Sequence, residues 1–222
     1  MRSFDDITEP VIERFGGLAG LKKQLTLPKK AKELRAIENS AWLSQASKAV
    51  FQAGFNWKVV DGKWPRIEEI FHGFDLGYCR MLSDEALETI LKQDGMISHW
   101  KKTRSIQRNG DFFWQLSNDH DGLGNYFAGW NTANYAENLR TLQKGGDRLG
   151  IRTLQVFLRR MGVDTLIFSN DMVRGLIREG VVQKTPSSKR DWAVLQEVVE
   201  LWQAQSRRSL NEISQILAYS VG

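Results

Sequence analysis

The sequence predicts an all-α fold. Apolar residues recur at three- and four-residue spacing along most of the chain, and Ser, Thr, Asn, Gly and Pro residues separate these segments. Only one short run, residues 163–168, has the composition of a β-strand, and helical patterns flank it on both sides. A chain of 222 residues is long enough for one large domain or two small interleaved lobes.

Helices are predicted throughout the N-terminal half. Thr8 stands before Glu9 and Pro10, which indicates a helix N-cap followed by a proline in the first turn, and Gly16 and Gly17 then end this helix. Further helices are expected over 29–37, from Pro65 onwards, and from Ser98 to about Leu116. Ser40 is expected to cap a helix that runs to about Ala53, and Ser83 is expected to cap another amphipathic helix.

The C-terminal half continues the helical pattern. Residues 118–131 are rich in Gly, Asn and Asp and are expected to form a loop. Helices are predicted from Thr132 to about residue 145, over 150–161, over 169–178, over 187–206 and over 209–219.

Composition restricts the classes of function. The formal net charge of +5 favours a polyanionic partner, and eight Trp residues exceed ordinary use. Cys79 is the single cysteine, so no internal disulfide can form, which suits a reducing cytoplasm. The spacing of Cys79 and the three His residues fits no zinc site, and no apolar run is long enough to span a bilayer. No signal peptide opens the chain. We therefore expect a cytoplasmic, monomeric protein without metal or cofactor.

The segment Phe51-Gln52-Ala53-Gly54-Phe55-Asn56-Trp57 is the most informative motif. It closes an amphipathic helix, turns at Gly54 and then offers two large aromatic side chains two residues apart. Such side chains suit a site where a base is stacked on one ring while the other fills its place in a duplex. The alternative is a turn between helices with two core aromatic residues.

This segment resembles the Gln-Ala-Gly-Leu-Ser-Trp signature of the DNA-3-methyladenine glycosylase I family, within the helix-hairpin-helix DNA glycosylase superfamily. The resemblance continues to about Phe113 and returns more weakly from about Arg140 to Val182. It implies two helical lobes around a cleft, in a single glycosylase-like domain over 1–222. The expected parts are N-terminal helices over 1–39, a base-pocket lobe over 40–117, a helix-hairpin-helix region over 132–182 and C-terminal helices over 187–222.

The resemblance also implies roles for residues near the motif. Trp57 would stack on the flipped base, Phe55 would enter the duplex stack, and Gln52 would contact the gap. Ala49 and Phe51 would line the base pocket, and Gly54 would lie against DNA. The family carries a base-reading glutamate at the position of Ala49, so the resemblance implies a divergent member.

Residues 144–153 are predicted to form a hairpin that holds the DNA backbone. A tight glycine turn between two helices presents backbone N–H groups to a phosphate, although the same pattern also serves as a helix C-cap. The segment resembles the superfamily hairpin, with Arg148 standing where the first glycine is expected. The DNA-contacting residues would be Gly146, Arg148, Gly150 and Arg152.

Two further segments are similar to family motifs. Gly95-Met96-Ile97-Ser98-His99-Trp100-Lys101-Lys102 places Lys102 on a DNA-facing or structural surface, with a solvated helix face as the alternative. His99 is expected to be a hydrogen-bonded structural residue. In Ser169-Asn170-Asp171, the resemblance suggests Asn170 and Asp171 as the catalytic pair near the sugar. The alternative for Asn170 is a helix N-cap.

Together these motifs imply a monofunctional glycosylase that excises alkylated adenine from duplex DNA in base excision repair. Water would be the nucleophile, and no lysine is expected to form a Schiff base. Two alternatives remain: a non-catalytic DNA-binding protein on the same scaffold, and a helical interaction domain whose tryptophans are core residues.

Overall fold

The computed structural model of the protein describes residues 1–221. Within this range the chain forms fourteen α-helices and two short 3₁₀ helices, without a β-strand, so the all-α prediction is confirmed. The helices are α1 (Phe4–Arg14), α2 (Leu18–Gln24), α3 (Ala31–Arg35), α4 (Asn39–Gln52), α5 (Trp57–Ile70), α6 (Leu76–Arg80), α7 (Asp84–Leu91), α8 (Trp100–Asp119), α9 (Leu123–Ala128), α10 (Tyr135–Gly145), α11 (Ile151–Met161), α12 (Asn170–Arg178), α13 (Lys189–Ser206) and α14 (Leu210–Tyr219). The 3₁₀ helices are His72–Phe74 and Thr132–Asn134.

The helices divide into two compact units. The terminal unit consists of Met1–Lys29, Asn131–Asn138 and Gly162–Gly222, with its described part ending at residue 221. The central unit consists of Lys30–Trp130 and Leu139–Met161. Both units therefore combine segments that are distant in sequence.

The central unit is built around helix α4, which packs against α8 and α11. Trp42 of α4 is fully buried and stacks on Phe127 with ring centroids 4.1 Å apart, while Phe157 of α11 meets it edge-on. Trp64 is also buried, and its indole N–H donates a 3.0 Å hydrogen bond to the Ser44 hydroxyl. Two tryptophans of this unit, Trp42 and Trp64, are thus core residues.

The terminal unit packs α12 against α14 and α1 against α13 and α14. Gly175 of α12 permits this approach, because a Cβ there would lie 3.0 Å from the Leu217 carbonyl oxygen. Phe4 and Trp202 join α1 to α13, with ring centroids 5.5 Å apart. The unit therefore has an apolar core of its own.

The strand-like run 163–168 is extended but forms no sheet. Its backbone N–H groups are satisfied by side chains of α14: Thr165 donates to Asn211 Oδ1 and Ile167 donates to Ser214 Oγ, at 3.0 and 2.9 Å. In return, the Asp164 carboxylate accepts hydrogen bonds from the first two N–H groups of α14. These bonds replace a strand partner.

Two predicted helix starts are wrong. Helix α1 begins at Phe4 with Ser3 as its N-cap, so Thr8 lies inside the helix and donates its hydroxyl to the Phe4 carbonyl. Helix α5 begins at Trp57, with Pro65 in its interior instead of at its start. In both helices an upstream side chain caps the N-terminus, and the proline only removes one internal hydrogen bond.

The predicted loop 118–131 contains helix α9. Gly124 makes this helix fit, because a Cβ there would lie 2.8 Å from the Leu34 carbonyl oxygen of α3. The predicted Ser83 cap is confirmed, because its hydroxyl accepts from the N–H of Ala86. Ser40, in contrast, makes no cap bond, since α4 already begins at Asn39.

Candidate nucleic-acid interface

The turn after helix α4 presents two aromatic rings at the surface of the central unit. Gly54 has φ +82°, a left-handed conformation that favours glycine. Asn56 then caps α5 by accepting a 3.0 Å hydrogen bond from the Lys58 N–H. Phe55 and Trp57 are 38% and 49% exposed, so neither is a core residue. Their roles toward DNA stay predictions.

Lys102 of α8 holds this turn in place through hydrogen bonds to its backbone. Its side chain is buried, and Nζ donates to the carbonyl oxygens of Phe51 and Ala53 at 2.9 and 2.5 Å. The same ammonium lies 4.3 Å from the centroid of the Phe55 ring, a cation–π contact. The predicted alternative of a solvated helix face is therefore wrong for Lys102. Burial, together with repulsion from Arg148, lowers the pKa of Lys102 to about 8.

His99 completes the support of the turn. It is the N-cap of α8, where Nδ1 accepts a hydrogen bond from the Lys102 N–H, as expected of a structural histidine. Its ring also meets the Phe55 ring edge-on, with centroids 5.8 Å apart. Phe55 is thus exposed on one side and packed against Lys102 and His99 on the other.

Arg160 of α11 contacts the Trp57 ring and connects it to a series of polar side chains on α4 and α5. The Arg160 guanidinium lies 4.8 Å from the Trp57 ring centroid and donates to Gln52 Oε1. Gln52 Nε2 donates to Asp61 Oδ1 at 2.9 Å, and Lys48 pairs with the same carboxylate oxygen at 2.9 Å. The pKa of Arg160 is lowered, because the effect of burial is larger than the opposing attraction of the Asp61 carboxylate.

Gln52 is buried and hydrogen-bonded within the protein. The side chain is only 2% exposed, and both its amide oxygen and its nitrogen are bonded within the protein. Contact with a gap in DNA, which stays a prediction, requires Gln52 to leave these partners. Ala49 and Phe51, the predicted pocket residues, are also buried, and Phe51 packs edge-on against Trp64.

The hairpin between α10 and α11 forms a tight turn. Arg148 has φ +61°, so this position adopts the left-handed conformation that a glycine would favour. Gly146 packs closely against Leu149: a Cβ there would lie 2.4 Å from Leu149 Cδ1, so a larger residue would require the Leu149 side chain to move. Around Gly150 there is open space, which leaves the N-terminus of α11 accessible.

Asn109 of α8 holds the hairpin in place. The buried Asn109 side chain accepts from the Asp147 N–H at 2.7 Å and donates to the Asp147 carbonyl at 3.0 Å. Arg108 pairs with the Asp147 carboxylate at 3.1 Å. The hairpin is therefore fixed by both of the backbone hydrogen-bonding groups of one residue.

An open pocket of about 490 Å³ lies beside the hairpin. Two cationic side chains, Lys102 and Arg148, line it, and the Asp147 carboxylate there is paired with Arg108. A helix N-terminus and two cations favour an anion of phosphate size. The lining residues are Val50, Ala53, Lys102, Asp147, Arg148 and Gly150. Arg152 is exposed on the first turn of α11.

The predicted catalytic pair belongs to the terminal unit. Ser169 is the N-cap of α12, so the alternative of an N-cap role for Asn170 is wrong. Asp171, the second residue of the helix, accepts a 3.1 Å hydrogen bond from Arg174. Asn170 and Asp171 are both exposed, and their catalytic role stays a prediction.

Other classes of site find little support in the described residues 1–221. No group of three or more His, Cys, Asp or Glu side chains in this range could hold a metal ion. The Cys79 thiol is buried, and burial raises its pKa to about 12. None of the helices described here has the length and apolar character needed to cross a membrane.

The fold is that of the DNA glycosylases. The structure is similar to a crystal structure of 3-methyladenine DNA glycosylase I, with a TM-score of 0.52 and 17% identity over 63% of this chain and 83% of the other. The Staphylococcus aureus 3-methyladenine DNA glycosylase I gives a TM-score of 0.53 and 15% identity over 63% and 80%. The Methanocaldococcus jannaschii 8-oxoguanine DNA glycosylase gives 0.50 and 16% over 90% and 85%.

Residues 44–148 match the model of the methyladenine glycosylase family. This confirms the resemblance to the DNA-3-methyladenine glycosylase I family over the segment that carries the aromatic turn, Lys102 and Arg148. Asn170 and Asp171 lie outside the matched range. No curated protein matches the chain.

Sequence reasoning missed Arg160, Asp61 and Lys48. Arg160 and Gln52 are 108 positions apart, and no local pattern marks Arg160 as a partner of the motif. The polar contacts behind Trp57 therefore become visible only in three dimensions.

Proposed function

We propose that the protein is a monofunctional DNA glycosylase that excises alkylated adenine, of the 3-methyladenine type, from duplex DNA. One observation carries the proposal: a single rigid turn exposes Phe55 and Trp57, and it shares Lys102 with a cationic pocket beside the hairpin. Stacking surface and phosphate site thus lie next to each other in one unit.

Duplex binding follows from the pocket. Lys102 and Arg148 supply positive charge, and the first turn of α11 supplies backbone N–H groups that the helix itself does not use. Contacts of this kind bind phosphates without reading base sequence and weaken as salt rises. The protein would act as a monomer on cytoplasmic DNA.

Base capture follows from the aromatic turn. Extruding a nucleotide costs a few kcal/mol of lost stacking and pairing. Stacking the extruded base on Trp57 would return about 1–3 kcal/mol, and Phe55 would fill the vacated place in the stack. The turn is already ordered by Lys102 and Asn56, so little further ordering is required.

The chemical step requires little from the protein when the leaving base already carries a positive charge. Water would attack the sugar, and Asp171 would stabilise the developing sugar cation. Lys102 uses two of its N–H groups on the carbonyls of Phe51 and Ala53, which argues against a Schiff-base lysine at this place. A monofunctional reaction fits this arrangement.

Base release from methylated duplex DNA tests the proposal, with duplex binding measured in parallel. The parent should release methylated adenine, while Asp171→Asn should slow release without weakening binding. Binding without release would favour the alternative, a non-catalytic DNA-binding protein. One observation supports that alternative: Ala49, the predicted pocket residue, has no carboxylate with which to read a base. Absence of duplex binding at low salt would contradict both.

A further inference from the structure

Helix α5 contains a glycine that its own packing does not require. Gly62 lies in the interior of the helix and is exposed, and a Cβ added there would meet no other atom within 4 Å. Because glycine has the most backbone freedom to lose, it destabilises a helix interior relative to alanine. The fold of the described chain therefore gives no reason for a glycine at this position.

The other glycines inside the described α-helices differ from Gly62, because each has a close neighbour. At Gly124, for example, the neighbour is the Leu34 carbonyl oxygen. A Cβ at any of these positions would lie 3.2 Å or less from another atom; the residues are Gly20, Gly77, Gly110, Gly124, Gly145 and Gly175. At Gly62 the missing side chain instead leaves the helix backbone open to a partner from outside.

Two cations flank Gly62 on the same face of α5. Lys58 lies four residues before Gly62 and Arg66 four residues after it, a spacing that places the three residues in one line along the helix. Lys58 is exposed and makes no ion pair within residues 1–221. Arg66 pairs with the exposed Glu69 carboxylate, a surface contact that contributes little in water. The line thus presents a cation on either side of an open stretch of backbone.

We propose that helix α5 makes a second contact with duplex DNA, in which the sugar-phosphate chain passes over Gly62 between Lys58 and Arg66. Charge complementarity favours this partner, since DNA carries a dense row of negative charges. The line also begins one residue after Trp57, so it continues the surface of the aromatic turn. The inference rests on the proposed function, because it takes duplex DNA as the partner. It adds a surface that is separate from the pocket beside the hairpin.

The missing side chain matters because it sets how closely the DNA backbone can approach. With glycine at position 62, the sugar-phosphate chain can lie against the helix, and both long cationic side chains can reach a phosphate. A side chain at position 62 would stand between Lys58 and Arg66 and hold the DNA away from both. Each phosphate contact that is lost makes the slope of log affinity against log salt less steep by about 0.9.

Binding of an undamaged, labelled duplex at several salt concentrations tests the inference. Gly62→Gln introduces a neutral side chain that favours a helix, so Tm should rise by roughly 1–4 °C. The same variant should bind duplex more weakly, with a salt slope less steep by about 1.8, the value of two phosphate contacts. Lys58→Gln should reduce the slope by about 0.9. The double variant should lose no more than Gly62→Gln alone, because the DNA is already held away from Lys58.

Lys92→Gln is the matched control. Lys92 is an exposed cation at the C-terminal end of α7 in the same unit, and its replacement should leave affinity and salt slope unchanged.

Parental binding by both Gly62→Gln and Lys58→Gln would overturn the inference. Weaker binding with an unchanged salt slope would also overturn it, because this face would then contact something other than phosphates. So would additive losses in the double variant, or a lower Tm for Gly62→Gln, which would show that position 62 is not open. If the parent itself binds no duplex at low salt, the proposed function fails instead, so the two failures are distinguishable.

Discussion

Replacing Arg148 would separate the stability of the hairpin from the DNA contact that we propose for it. Arg148 adopts φ +61°, which costs a non-glycine residue roughly 1–2 kcal/mol. Arg148→Gly removes this strain but adds about 0.5–1 kcal/mol of chain entropy in the unfolded state. It also removes the repulsion that Arg148 exerts on the buried Lys102 ammonium.

The net result should be a gain of about 0.5–1 kcal/mol in the free energy of unfolding. For a protein of this size such a gain raises Tm by roughly 1–4 °C. The same substitution removes a cation from the pocket beside the hairpin, so duplex binding should weaken. The slope of log affinity against log salt should become less steep by about 0.9, the value of one phosphate contact.

Two further variants make the result decisive. Arg148→Ala loses the charge but keeps the strain, whereas Arg148→Lys keeps both. Thermal melting should place Arg148→Gly above Arg148→Ala, and the salt slope should group Gly with Ala and Lys with the parent. Equal melting of the Gly and Ala variants would refute the strain argument, and an unchanged salt slope in both would refute the phosphate contact.

Four other substitutions test the aromatic turn, the core and the pH dependence of the fold. Trp57→Ala should weaken base binding by about 1–3 kcal/mol, measured by base release. Because the Trp57 ring is half exposed, the same variant should lose only about 1–2 kcal/mol of the free energy of unfolding, whereas Trp64→Ala in the core should lose about 3–5 kcal/mol, both measured by thermal melting. The pKa of Lys102 is about 8 in the folded protein and 10.5 when unperturbed, so only the unfolded chain is protonated between these values. In urea titrations, the stability of the parent should therefore rise from pH 8 to 10.5 by up to about 1.4 kcal/mol per pH unit, and Lys102→Met should lack this rise. The hydrogen bond from Arg2 holds the pKa of Glu179 near 2, below its usual 4.5, so this contribution of about 3 kcal/mol is present above pH 4.5 and is lost as pH falls toward 2. Glu179→Gln should flatten acid unfolding over that window, and an unchanged acid limb would contradict the assignment.

The sequence predicted those parts of the fold whose signals are local. Ser83 caps its helix as predicted, and the glycine turn at Gly54 lies where the motif placed it. Signals that compete locally were misread: Thr8 before Pro10 fits an N-cap, but Ser3 with Asp6 forms the real capping box five residues earlier. Cap propensity alone does not choose between two candidate starts.

The chemistry of the site depended on contacts that no local pattern encodes. The motif marked Phe55 and Trp57, and their exposure fits that prediction. Sequence could not show that Gln52 is buried between Asp61 and Arg160, because these partners come from different helices. Nor could it show which tryptophans are core. Trp42, Trp57 and Trp64 all lie in the amphipathic helices α4 and α5, yet Trp42 and Trp64 are buried and Trp57 is half exposed.

Helix α8 fixes the spacing between the aromatic turn and the hairpin. Lys102 holds the turn and Asn109 holds the hairpin, and a separation of seven residues places both on the same face of the helix, about 10 Å apart along its axis. In the proposed complex, the nucleotide that Phe55 displaces would therefore be determined by the phosphate that the hairpin holds. One residue inserted into α8 between them would rotate Asn109 by about 100° relative to Lys102. The aromatic turn and the hairpin would then no longer be positioned to contact the same stretch of DNA in the proposed complex.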